Sequence, residues 1–168
     1  MKDLSKYLGC LIGGAAGDAL GYAVEFSDID EIRRTYGEKG IRRYALASGK
    51  ALISDDTQMT LFTANGLLFG KTRARMRSIS GPVEGDIHCA YLDWLYTQTG
   101  ESPRNHQYTW LRNVKRLNAQ RAPGNTCLSA LSSGKCGTID KPINNSKGCG
   151  GVMRVAPIGL YFCEHDDE

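Results

Sequence analysis

Residues 55–69 constrain the fold more than any other part of the chain. Ser54 stands before them as a helix N-cap, and Asp55 and Asp56 occupy the first turn. Met59, Leu61, Phe62, Ala64, Leu67, Leu68 and Phe69 follow. On a helix these side chains cover most of the circumference, so the spacing predicts a helix buried nearly all round. Such a helix needs other elements packed about it, and the rest of the chain supplies helices. Leu4, Leu8, Leu11, Ile12 and Ala15 recur at helical spacing. Gly9, Gly13, Gly14, Ala16 and Gly17 keep the remainder of that helix small, which suits close packing, and Gly21 marks its end. Further helices are expected over 27–36, closed by Gly37, over 86–97 with Ala90, Trp94 and Leu95 inward, and over 109–120 and 126–131. A last one is expected over 152–162, kinked by Pro157. Lys71, Arg73, Arg75 and Arg77 read as a solvated basic connection. No convincing strand alternation appears, so the fold class is all-α.

At 168 residues the chain suits one domain, taken as residues 1–168. A net charge of +3 is too balanced to point to nucleic acid or a membrane surface as partner. No uninterrupted apolar run approaches ~20 residues, and acids on both sides of Cys10 argue against a signal peptide, so a cytoplasmic location is expected. The six cysteines form no Cys-x-x-Cys pair and are expected to be reduced thiols. His88, His106 and His165 receive no role, and no Gly-x-Ser-x-Gly elbow is present.

Three clusters carry chemistry. In Ser54-Asp55-Asp56-Thr57 the acids suit the helix dipole, but a buried helix start also strips both carboxylates of water. No basic residue between Ala51 and Gly70 neutralises them, whereas a divalent cation with a preference for hard oxygen, magnesium or manganese, would. The second cluster is Gly17-Asp18-Ala19-Leu20-Gly21 with Glu25. Taken singly, Asp18 is better explained as a cap on or contact to a neighbouring helix, and Glu25 as a surface acid. The third is Ser146-Lys147-Gly148-Cys149-Gly150-Gly151-Val152-Met153-Arg154. Glycines entering a helix expose backbone N–H groups that suit an anion, and a plain glycine turn explains them equally well. Neither Gly-rich element has the spacing of a P-loop or a dinucleotide fingerprint.

In this order, the segment 13–21 with Glu25, then Ser54-Asp55-Asp56-Thr57, then Gly150-Gly151-Val152-Met153-Arg154-Val155-Ala156-Pro157 resemble the ADP-ribosylglycohydrolase family. The resemblance runs over roughly residues 4–162. It implies an all-α fold with two magnesium or manganese ions in a cleft. It implies metal contacts from Glu25, Ser54, Asp55 and Asp56, with Glu25 and Asp56 also serving proton transfer. It further implies that Ser146, Gly148, Gly150 and Gly151 approach the diphosphate and ribose of ADP-ribose, and that Gly124 and Thr126 form another ligand-facing turn. The implied reaction is attack of water at C1″ of the distal ribose, freeing ADP-ribose from a modified protein. Cys149 stands where some members have Asn, and Ala122 where one branch has Asp. The family's later Asp-x-Asp-Thr/Ser segment is not found, so the chain is expected to represent the N-terminal part of the domain. A C-terminal half supplied as another chain would then complete the metal site. An ADP-ribose-binding module without turnover and a structural remnant of the fold are the alternatives.

Overall fold

The structure, a computed structural model, describes residues 4–79 and 81–163. The acidic 164–168 tail, with His165, lies outside the described residues. Among the described residues there are six α-helices, α1 Leu4–Gly21, α2 Ile29–Tyr36, α3 Asp55–Arg77, α4 Val83–Thr99, α5 Asn125–Ser132 and α6 Ala156–Phe162, joined by short 3₁₀ turns and loops. No strand occurs among them, only an isolated bridge between Ala47 and Lys50. The fold is all-α.

The core lies between α3 and α4. Met59 and Phe62 meet Ala90, Leu92, Trp94 and Leu95, and Leu111, Leu117, Cys127 and Leu131 close the cluster from later segments. Two glycines one turn apart let the helices approach. A Cβ on Gly66 would lie 2.8 Å from the Ile87 backbone, and one on Gly70 would overlap the Asp86 carboxylate. The fully buried Gln58 side chain ties three segments together. Its Nε2 donates to Ala119 O at 3.0 Å, and its Oε1 accepts from Trp94 Nε1 at 3.1 Å and Gln98 Nε2 at 3.2 Å. Satisfying a buried amide this fully avoids the ~1–3 kcal/mol cost of an orphaned polar group.

Several elements depart from the sequence reading. The central helix continues two turns past Phe69 to Arg77, so the basic stretch is helical rather than a loop. Arg73 draws it on, its Nη2 donating to Asp86 Oδ1 on α4 at 2.7 Å. Over 55–69 every residue except Leu68, 58% exposed, is buried or half-buried, as the spacing predicts. The segment 109–120 is not a helix but two 3₁₀ turns, Trp110–Asn113 and Lys115–Leu117. Leu111 and Leu117 are both buried there. Six residues apart on an α-helix they would point about 120° from each other, so the break lets both reach the core. Asp93 fixes its start by accepting from Tyr108 N and Thr109 N at 2.8 and 2.6 Å. Pro157 does not kink a helix but opens α6, where its missing N–H costs nothing.

Helix α1 also differs. Of its residues only Ala19 is buried. Leu4, Leu8 and Ile12 are exposed, and Gly9, Gly13, Gly14 and Gly17 face open space rather than close-packed neighbours. Residues Leu4–Val24 are long and apolar enough to cross a membrane by length and composition alone, although Lys6 and Asp18 interrupt the apolar run. Asp18 interrupts this apolar surface and is bound to α3.

Candidate active site

The site is built on the N-terminus of α3. Ser54 is its N-cap, accepting from Asp56 N through Oγ at 3.1 Å. Asp18 reaches across from α1 as a second cap. Its carboxylate accepts from Ser54 N at 2.9 Å, from Thr57 N at 3.2 Å and from the Thr57 hydroxyl. One helix start is thus held by its own cap and by a carboxylate from another helix, and this fixes where Asp55 and Asp56 point.

Asp55 is 5% exposed. Its N–H donates to Arg121 O at 2.8 Å, and its Oδ2 accepts from Gly124 N at 3.3 Å. Burial pushes its carboxyl up to about 6; the Gly124 N–H opposes the rise, and Asp56 and Glu25 add to it. Asp56 is likewise raised, by burial and then by Asp18. Glu25, just beyond a 3₁₀ turn at the end of α1, is raised by burial and by the charges of Asp56 and Asp18. These acids therefore share one electrostatic environment, and among the described residues none of the three is ion-paired with a basic side chain.

Across from them lies the glycine segment. Thr126 Oγ1 donates to Ser146 Oγ at 3.2 Å, Ser146 N donates to Asn144 Oδ1 at 3.0 Å, and Gly148 N donates to Ser146 Oγ at 3.3 Å. Cys149–Gly151 form a 3₁₀ turn. A Cβ on Gly150 would lie 2.9 Å from Cys127 Sγ, so glycine lets this turn rest on α5. Thr60 Oγ1 on α3 donates to Met153 O at 3.2 Å and ties the segment to the helix that carries the acids.

One cleft of about 410 Å³ gathers Glu25, Asp55, Asp56, Gly124, Thr126, Ser146, Gly148, Gly150 and Gly151. Every site residue singled out from the sequence except Ser54 lines it. Ser54, 2% exposed, lies behind as the cap. Ala122 lines the cleft in the left-handed region, φ 55. A second cleft, mostly apolar, opens on the other side of Asp56 between α1, α3 and α6. Sequence reasoning missed Cys127 and Asn144. Neither belongs to the three clusters that carry chemistry, and only the folding of α5 and the glycine segment brings them to the wall.

Three raised carboxylates, none of them ion-paired among the described residues, suit a divalent cation in donor chemistry. In position they form a partial set: among the described residues no three His, Cys, Asp or Glu side chains converge closely enough to hold a metal ion.

A helical scaffold that sets paired acids at a buried helix start opposite a glycine-rich turn defines the class of this protein. The chain matches the ADP-ribosylglycohydrolase family over residues 1–168 and belongs to it. It is similar to an uncharacterized protein of Archaeoglobus fulgidus, with 29% identity over 165 residues, covering 94% of this chain and 43% of that protein. The chain thus spans less than half the length of that relative. No solved structure matches it.

Proposed function

We propose that the chain forms part of a magnesium- or manganese-dependent hydrolase that releases ADP-ribose from a modified protein side chain. The observation that carries this reading is the single cleft with Glu25, Asp55 and Asp56 on one side and the 146–151 donors on the other. The glycine N–H groups and the Ser146 and Thr126 hydroxyls take the diphosphate and adjoining ribose. The acids face the distal ribose. Asp55 and Asp56 offer hard oxygens to the cation, which on binding orients the ribose hydroxyls and a water. Glu25 and Asp56, both raised by their surroundings, are suited to take the proton from that water as it attacks C1″. Ser54 serves the site by holding Asp56 in place, and its own oxygen is set behind the cleft wall.

The partial convergence of the acids and the uncovered face of α1 support a further part of this reading. The ligand set is completed by an additional segment, carried by a longer form of the protein or by another chain. A cytoplasmic protein without nucleic-acid or membrane partners remains the setting we propose.

Titration calorimetry in magnesium tests the ligand. ADP-ribose should bind at least about tenfold more tightly than adenosine, the margin expected of charge-assisted bonds to a diphosphate. Equal affinities would show that the glycine turn does not anchor phosphate, and would defeat the reading.

A further inference from the structure

The described residues lining the cleft include three carboxylates and one cation, Arg154. Lys147 lies within the glycine segment but does not line it. Arg154 is half-buried, and among the described residues no carboxylate lies within ion-pairing distance of its guanidinium; the ion pairs there join Arg33 with Glu38, Arg73 with Asp86, and Arg112 with Asp93. Its neighbours are neutral. Nη1 donates to Met59 Sδ at 3.2 Å, a weak acceptor, and the guanidinium stacks on the Tyr91 ring at 4.7 Å. Tyr91 is held in turn by Thr63, whose Oγ1 lies 2.6 Å from the phenol oxygen. The Cys127 thiol and the Tyr91 phenol are both pushed up by burial, and the Arg154 charge pulls each partly back.

A guanidinium withdrawn from water is costly unless it meets an anion. Here a thioether, an aromatic face and a thiol fix its position while leaving its charge unmatched. The turn beside it, resting on Cys127 through Gly150, offers backbone donors but no charge. We propose that Arg154 is the cation of the cleft that binds the ligand's diphosphate, with Met59, Tyr91 and Cys127 holding it ready. The planar fork of arginine suits two phosphate oxygens at once, which a lysine cannot match. The inference rests on the reading of the cleft as an ADP-ribose site, and it assigns that site's charge selectivity to one side chain.

Two experiments test it. Crystals of the chain soaked with pyrophosphate, and separately with ADP-ribose, should show a phosphate oxygen within about 3.2 Å of the Arg154 guanidinium. Calorimetry should show Arg154→Met losing pyrophosphate and ADP-ribose affinity by at least about tenfold, with a flatter salt dependence and adenosine affinity unchanged. Arg154→Lys should fall between it and the unaltered chain. Pyrophosphate bound away from Arg154, or not bound, overturns the proposal, as does a folded Arg154→Met with undiminished affinity. If Arg154→Met does not fold, the soaked crystals decide. ADP-ribose bound with its diphosphate elsewhere would defeat this inference and leave the proposed function standing. Pyrophosphate on Arg154 with no affinity for ADP-ribose would do the reverse.

Discussion

Asp18 Oδ2 accepts a hydrogen bond from Ser54 N at 2.9 Å, so the carboxylate of the first helix caps the third. The same oxygen also accepts from Thr57 N. This bond joins the otherwise loosely packed α1 to α3, and it places Glu25, seven residues after Asp18, beside Asp56. Asp18→Ala should therefore destabilise the protein by about 2 kcal/mol, in the range for hydrogen bonds to a charged group, a fall of roughly 4–8 °C in Tm. Urea unfolding checks the value. An unchanged midpoint would mean that α1 contributes nothing to holding α3.

The pH dependence of stability should carry the mark of Asp55. Its native carboxyl titrates at about 6, above the ~3.9 of an unfolded aspartate. Between these values the native state holds more protons than the unfolded state, so stability falls as pH rises from about 4 to 6. Asp55→Asn should remove much of that slope and raise stability above pH 6 by about 1 kcal/mol in the absence of divalent ions. Thermal melts across pH, with EDTA and then with magnesium, provide the measurement. A slope that magnesium leaves untouched would speak against a cation at these acids.

The glycine turn should tolerate substitution at one position and not at another. Gly150→Ala places a methyl group against Cys127 Sγ and should displace the turn, costing about 1–3 kcal/mol and weakening ADP-ribose binding. Gly151→Ala meets open space and should cost far less. Cys127→Ala removes the opposing sulfur, so adding it to Gly150→Ala should recover part of the loss in a double-mutant cycle. Equal effects at both glycines would contradict the packing.

Much of this site was legible in the sequence because its signals are local. A serine cap, acids in the first turn and an apolar helix behind them forecast a buried acidic helix start, and Ser54 and Asp55 are both buried. Glycines 148, 150 and 151 likewise announced a turn, and Cys149–Gly151 form one. What stayed hidden depends on distant partners. The break in 109–120 follows from Asp93, whose carboxylate takes two backbone N–H groups about four helical turns further along the chain. The extension of α3 to Arg77 follows from Asp86 on the next helix. The open face of α1 was misjudged because small residues signal that a helix can be approached closely, not that a neighbour is there.

Release of ADP-ribose from an ADP-ribosylated peptide decides whether the acids at the start of α3 serve a metal-dependent hydrolase. It should be measured in magnesium with this chain alone, with the chain joined to a segment bearing the family's later Asp-x-Asp-Thr/Ser pattern, and with Asp56→Asn in the joined form. Little turnover is expected from the chain alone, restored turnover from the joined protein, and a loss of at least about a hundredfold with Asp56→Asn or EDTA, as for removal of a proton-transfer group or a metal. Turnover in the joined protein that survives both Asp56→Asn and EDTA would contradict that role for the acids.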